Sequence, residues 1–263
     1  MPDSDLGASG GLRKSAWLLL LLSAVVVAAD ALHFGLGADV LVITHAMYIV
    51  LPITLIAFSW FLFGRRFAIA SSALLFLGGV SVEVVGTRTG IPFGRYDYTS
   101  VFQPQVFGVP LQIALGWLTL GLMCYALASL GWRSRWHAVP VAALLMVSWD
   151  VLYDPVFTGL GMWTWREGTY FGVPFTNFVG WFLASLFFFC IMSLLRRSSA
   201  LNPDTLASVA PLAVYLAYLV DGSASNVSLG HPEAALIGAS LMLLVAAFSQ
   251  VPRLSAKLAG KMG

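Results

Sequence analysis

The chain has 263 residues, of which 59% are hydrophobic and only 10% are charged. Soluble domains carry roughly 25% charged residues, so this composition cannot cover a water-facing surface and excludes a soluble globular protein. Lipid is the alternative solvent, in which helices satisfy their own backbone hydrogen bonds. The near-neutral net charge of +2 argues against a nucleic-acid partner.

Runs of about 16–24 mostly apolar residues match a hydrocarbon core of about 30 Å and predict transmembrane helices. They predict an all-α, polytopic membrane bundle of about eight helices, in which residues 1–263 form a single transmembrane domain. The predicted spans are Ala16–Phe34, Val40–Phe63, Phe67–Gly86, Val109–Leu130, Ala138–Tyr153, Val173–Leu195, Leu206–Val220 and Pro232–Phe248.

Positive charges gather on one side of these predicted helices. Eleven of the 14 lysine and arginine residues fall on the side that also holds both termini, and Arg88, Arg95 and Arg166 fall on the other. Because cytoplasmic loops carry the excess of cations, we expect both termini to lie in the cytoplasm of a multi-pass cell-membrane protein. Acidic residues show the opposite distribution, and several lie within the spans, where a charge is costly.

Two outer connections are long and rich in glycine and aromatic residues, Thr87–Phe107 and Asp154–Gly172. Long connections are usually either functional or disordered, and disordered segments lack this many aromatic residues. We therefore expect two ordered loops that cap a site. The alternative is that their tryptophans and tyrosines lie at the lipid interface, where these residue types are enriched.

A short repeat links the two loops. Gly108-Val-Pro110 is followed after five residues by Gly116-Trp117, and Gly172-Val-Pro174 is followed after five residues by Gly180-Trp181. The repeated unit is helix, outer loop, helix. This pattern predicts that the third to sixth spans form a pseudo-symmetric catalytic core, residues 67–195.

Each repeat carries a carboxyl group three residues before the end of its first predicted span, Glu83 and Asp150, and we expect the two groups to lie at matching depth. Two carboxyl groups in a pocket of low dielectric cannot both ionise easily, so one keeps a proton and can act as a general acid. Asp154 is the reserve candidate, on the face of Asp150 if the helix continues, although Pro155 is expected to stop it. The alternative is that these acids cap loop amides or pair with loop arginines, Arg88, Arg95 and Arg166.

Four other polar residues near the outer rim could form a metal site, namely Asp30, His33, His45 and Glu233. They lack a tight ligand pattern such as H-E-x-x-H, so polar contacts at helix ends are the favoured interpretation and no metal is predicted. The sequence contains no nucleotide-binding glycine loop, no serine-nucleophile elbow and no Cys-X-X-Cys motif, and we expect no cofactor.

Several of these motifs resemble a family of integral membrane carotenoid-biosynthesis proteins, whose characterised members of the CruF type are carotenoid 1,2-hydratases. The resemblance covers roughly residues 67–195. It is carried by Gly90-Ile-Pro-Phe-Gly-Arg-Tyr-Asp-Tyr98, Gly108-Val-Pro110, Trp149-Asp150, Gly172-Val-Pro-Phe-Thr-Asn-Phe178 and Gly180-Trp181.

The resemblance implies an acyclic carotenoid substrate, held partly in the lipid bilayer, and addition of water to its terminal double bond. Protonation at C2 needs a positioned acid and creates a tertiary cation at C1, which aromatic faces stabilise. The same protonation would also begin cyclisation, so a carotenoid cyclase is an alternative. A transporter or lipid-binding protein is another alternative, with a site expected nearer the midplane. The predicted substrate-binding residues are Tyr96, Tyr98, Trp149, Trp163, Trp165 and Asn177.

Overall fold

The structure is a computed structural model that describes residues 2–132, 134–196 and 203–259. These residues form eight helices, each long and apolar enough to cross a membrane, which confirms the predicted all-α polytopic bundle. In chain order the helices are α1 Pro2–Leu36, α2 Leu41–Phe63, α3 Arg65–Thr89, α4 Leu111–Gly131, α5 Arg135–Gly159, α6 Phe175–Leu195, α7 Thr205–Ser228 and α8 Pro232–Ala259.

An even number of crossing helices would place the two ends of the described chain on the same side of a membrane, as the sequence predicts. The side that faces the cytoplasm stays a prediction from the cations. Of these cations, Arg133, Arg197 and Lys261 lie outside the described residues.

Helices α4 and α5 form the centre of the bundle. In each of them 78% of the apolar span is buried, against 44% or less in the other six helices. Helix α5 packs against α4, α6, α7 and α8, and α4 packs against α2 and α3. A helix that is apolar on every side belongs in a core, whereas the outer helices turn large apolar side chains toward lipid.

The predicted end of the fifth span at Tyr153 is wrong, because α5 continues through Pro155 to Gly159. Proline has no amide hydrogen, so Pro155 cannot bond to the carbonyl oxygen of Val151 one turn earlier. The hydroxyl group of Tyr170 donates to that oxygen at 3.2 Å instead. The helix therefore tolerates its proline.

The predicted ordered loops are confirmed. Together with the residues between the first loop and α4, they form four short strands: β1 Tyr96–Tyr98, β2 Gln105–Val106, β3 Val109–Pro110 and β4 Trp163–Trp165. Strand β1 of the first loop pairs antiparallel with β4 of the second, and β2 pairs with β3. Because side chains alternate along a strand, the four aromatic residues of β1 and β4 lie on the inner face of their pair. The residues between them, Asp97 and Thr164, are exposed.

The sequence repeat has a structural counterpart. Helices α3 and α5 have 25 residues each, and α4 and α6 have 21 each. Before α4, Phe107 and Gly108 have φ of 55° and 85°, and before α6, Phe171 and Gly172 have φ of 48° and 84°. A positive φ is uncommon for phenylalanine, so its recurrence at equivalent positions marks the same turn twice. Superposition of the two units by rotation about the membrane normal stays a prediction.

Candidate active site

A cavity of about 310 Å³ lies among α1–α7 and the pair β1–β4. Its volume is near the lower end of the range of small-molecule sites, about 300–1,000 Å³. The structure places all nine predicted site residues on its wall, while their roles stay predictions. These residues are Glu83, Tyr96, Tyr98, Trp149, Asp150, Asp154, Trp163, Trp165 and Asn177.

Glu83 is buried, and three side chains donate hydrogen bonds to it. Its Oε2 accepts from the hydroxyl groups of Tyr96 and of Tyr98, the latter at 2.8 Å. Its Oε1 accepts from the indole nitrogen of Trp117 at 2.9 Å. A carboxylate offers about four acceptor sites, so one site on Oε1 is left for a further donor. The side chains that donate to Glu83 are therefore two tyrosines and a tryptophan, and not the loop arginines that the alternative interpretation expects.

The two tyrosines remain protonated donors. Burial, followed by the neighbouring carboxyl group of Glu83, raises the pKa of both Tyr96 and Tyr98 far above the ordinary value for tyrosine. Tyr96 begins strand β1 and Tyr98 ends it. The pairing of β1 with β4 therefore fixes both rings relative to Glu83.

Asp150 and Asp154 lie one turn apart on α5 and share one partner, Asn177 of α6. The side-chain nitrogen of Asn177 donates to Oδ2 of Asp150 at 2.9 Å and also to Oδ2 of Asp154. All three residues are buried. A primary amide has two hydrogens to donate, so Asn177 can serve both carboxyl groups at once. Sharing one nitrogen holds the two Oδ2 atoms within about 6 Å of each other.

The prediction that Glu83 and Asp150 lie at matching depth is wrong. Counted along the helices, Glu83 lies six residues before the end of α3, Asp154 lies five before the end of α5, and Asp150 lies nine before it. Asp154 is therefore the closer counterpart of Glu83. The error came from ending the helix at Pro155, and all three acids still line the same cavity.

Aromatic rings form much of the remaining wall. Trp149 stacks on Tyr153 with a centroid distance of 4.3 Å, and Trp163 contacts Tyr98 edge to face at 5.9 Å. Trp149 and Trp163 are 9% and 7% exposed, so these two are cavity residues and not members of a lipid-interface belt. Their π faces can stabilise a positive charge in the cavity.

Sequence reasoning missed Trp117, which holds Glu83 and stacks on Trp181 with a centroid distance of 4.2 Å. The signal was present, because both tryptophans belong to the repeated Gly-Trp pair. Sequence reasoning named Asp30 only as a possible metal ligand and missed its pairing with Asp221 on the cavity wall, where Asp221 accepts a hydrogen bond from Tyr153 at 2.6 Å.

The structure does not assemble the alternative metal site. Nδ1 of His33 lies 2.9 Å from the carbonyl oxygen of Ala38, and Asp30 faces the cavity. In the part of the chain that the structure describes, no three histidine, cysteine, aspartate or glutamate side chains come together as a metal-binding group.

Comparison with known proteins relates the chain to a family and to a characterised enzyme. Residues 40–245 match the family described as carotenoid biosynthesis protein. The bisanhydrobacterioruberin hydratase of Haloarcula japonica is 31% identical over 142 residues, which cover 51% of this chain and 47% of that relative. The chain thus spans about half the length of the curated relative that it matches. No solved structure matches the chain.

Proposed function

The chain belongs to the family of carotenoid biosynthesis proteins, and we propose that it is a carotenoid 1,2-hydratase, which adds water to the terminal double bond of an acyclic carotenoid end group. The observation that carries the proposal is the convergence of three buried carboxyl groups and several aromatic rings on one cavity. The hydratase among the similar proteins supports the same class of reaction.

We assign the general acid to Asp150 and Asp154 together. Two negative charges about 5 Å apart would repel each other by about 3 kcal/mol at an effective dielectric constant of about 20. One proton shared by the pair removes this repulsion, as in other carboxylate dyads. In the first step the pair gives this proton to C2 of the alkene. The O–H bond breaks, a C–H bond forms from the π electrons, and a tertiary cation remains at C1.

We assign the base to Glu83. Three donors point at this carboxyl group, which suits an ionised acceptor more than a second acid. Its negative charge and the faces of Trp149 and Trp163 stabilise the cation until water attacks C1. The free acceptor site on Oε1 orients that water and takes its proton. Transfer of this proton back to the aspartate pair through water restores the starting state, so the reaction requires no oxidant, reductant or nucleotide.

The proposal also covers the setting of the reaction. Residues 67–195 carry all the proposed catalytic groups, while α1, α2 and α7 complete the cavity wall within one transmembrane domain, residues 1–263. We propose that both termini lie in the cytoplasm of a cell-membrane protein and that the site therefore opens near the outer surface. The polyene chain of the substrate extends from the cavity into lipid.

Expression in a bacterium that accumulates an acyclic carotenoid tests the proposed function, with an empty vector as control. A hydratase gives a pigment heavier by one water for each end that reacts, detected by liquid chromatography and mass spectrometry. A pigment of unchanged mass but altered retention would identify a cyclase instead. Unchanged pigment in the presence of folded protein would refute the enzymatic proposal.

A further inference from the structure

The two halves of α2 pack differently. In its inner half, Leu51, Leu55, Phe58 and Leu62 form a buried stripe along one face of the helix. In its outer half, Val42–Val50, every side chain is at least partly exposed. The inner half is therefore held against the bundle, whereas the outer half stands away from it.

The cavity reaches the space that this outer half leaves open. Ile43 and Met47 of α2, and Ile113 and Gly116 of α4, line the cavity and are themselves partly exposed. Thr44 and Gln112 of the same two segments also line the cavity, so the wall at this place is largely but not wholly apolar, and its side chains are not sealed by neighbouring helices. Gly116 lies five residues into α4, about 8 Å along the helix at 1.5 Å per residue, which is a depth near the hydrocarbon region.

The size of the cavity requires such an opening if the substrate is a carotenoid. A volume of about 310 Å³ suits an end group, and a long polyene cannot be enclosed in it. The rest of the chain must leave the protein where the wall is open. Two exits can be compared. The exposed side of β1–β4 presents the polar residues Asp97 and Thr164, which favour contact with water. The opening between α2 and α4 is the better exit for a hydrocarbon chain.

Gly116 differs from its counterpart in the repeat. A Cβ atom added at Gly180 would lie 2.8 Å from both the ring of Phe93 and the carbonyl oxygen of Pro92, so packing requires glycine there. A Cβ atom added at Gly116 would meet nothing within 4 Å, although Gly116 lines the cavity. Glycine inside a helix costs about 1 kcal/mol relative to alanine, and no close contact at Gly116 offsets this cost. Glycine at position 116 instead leaves open space beside the cavity.

We infer that an acyclic carotenoid enters the cavity laterally from the bilayer, between the outer halves of α2 and α4, and that Gly116 determines which chains fit through this opening. The inference rests on the proposed function for the identity of the substrate. It makes Gly116 a specificity-determining residue whose contribution is the absence of a side chain.

The test compares Gly116→Ala, Gly116→Leu and Gly116→Phe for thermal stability in detergent, carotenoid that co-purifies and hydration in cells. The open space predicts unchanged or slightly raised stability for all three variants. Alanine should keep most of the activity, whereas leucine and phenylalanine should lower both bound carotenoid and hydration at least tenfold. Gly35→Leu is the matched control, because Gly35 lies in α1, also meets nothing within 4 Å and does not line the cavity. It should behave like wild type.

The outcomes separate this inference from the proposed function. Wild-type rates and wild-type pigment binding in folded Gly116→Leu or Gly116→Phe would overturn the lateral opening and leave the hydratase proposal intact. A wild-type protein that binds carotenoid but does not hydrate it would refute the hydratase proposal, and pigment binding by the variants would still decide the opening. Loss of fold in both bulky variants would also overturn the inference, since it would show that no open space exists at Gly116.

Discussion

Replacing Glu83 with glutamine perturbs the proposed base without changing its size. Oε2 of Glu83 accepts from two tyrosines and Oε1 accepts from Trp117. Glutamine offers only one acceptor oxygen, so its NH₂ group must face a donor. The best orientation turns the oxygen toward Tyr96 and Tyr98 and sets the NH₂ group against the indole N–H of Trp117.

The expected cost follows from this mismatch. A buried donor that loses its acceptor costs about 1–3 kcal/mol, and hydrogen bonds to a charged group are among the stronger ones. Glu83→Gln should therefore lower the melting temperature in detergent and abolish hydration, because neither the negative charge nor the free acceptor site remains. Carotenoid should still co-purify, since the cavity keeps its shape.

A second substitution, Trp117→Phe, separates the stability effect from the chemical effect. Phenylalanine removes the opposed N–H but leaves space in the core, where Trp117 is fully buried, so Trp117→Phe should cost less stability in the Glu83→Gln background than in wild type. A double-mutant cycle in melting temperature measures this coupling. Hydration should stay absent in the double variant, because the charge at position 83 is not restored. Recovery of hydration there, or wild-type stability and activity in Glu83→Gln, would refute the assignment of Glu83.

Four further outcomes are expected. Asp150→Asn should lower hydration at least about a hundredfold, in line with general acid catalysis, measured by product mass. Trp163→Leu should cost less, about tenfold, because a single aromatic face contributes about 1–2 kcal/mol to a desolvated cation. Tyr170→Phe removes the donor to Val151 and should lower the melting temperature by an amount equivalent to about 1 kcal/mol while hydration continues. In intact cells, a membrane-impermeant maleimide should label Glu167→Cys, because position 167 is exposed in the loop between α5 and α6, which we expect to face outward.

Each of these has a contrary result. Wild-type hydration in Asp150→Asn would remove the acid from the proposed site, and a larger loss in Trp163→Leu than in Asp150→Asn would mean that the ring positions the reacting atoms. Loss of hydration in stable Tyr170→Phe would place that hydroxyl group in the chemistry. Labelling of Glu167→Cys only after the cells are permeabilised would reverse the orientation.

The bundle could be predicted from sequence because the hydrocarbon core imposes a length and an apolar composition on every span. The end of α5 could not be predicted in this way. The rule that proline stops a helix is local, and its exception depends on Tyr170, which reaches back to Val151 from the loop. Moving the end from Tyr153 to Gly159 changed which aspartate matches Glu83 in depth.

The candidate site could be predicted in its residue types and not in its connections. Buried acids and aromatic loops are visible in the sequence because such residues are unusual at membrane depth. The contact between Trp117 and Glu83 joins positions 34 residues apart, and Asn177 lies 27 residues from Asp150. Such pairs arise from helix packing, which no local pattern encodes. The assignment of one acid group and one base therefore had to wait for the hydrogen bonds.

The two repeats carry different parts of the proposed reaction at equivalent positions of their sequences. Three residues after the repeated proline, the second repeat has Asn177, which bridges the aspartates, and the first has Ile113, which lines the lateral opening. Equivalent positions also meet across the pseudo-symmetry, since Trp117 and Trp181 stack with an interplanar angle of only 3°. In the proposed reaction the acid acts at C2 and the base acts on the water that attacks C1, and two related units that face one cavity supply two such positions. The side-chain differences between the repeats then decide which side gives the proton and which side admits the substrate.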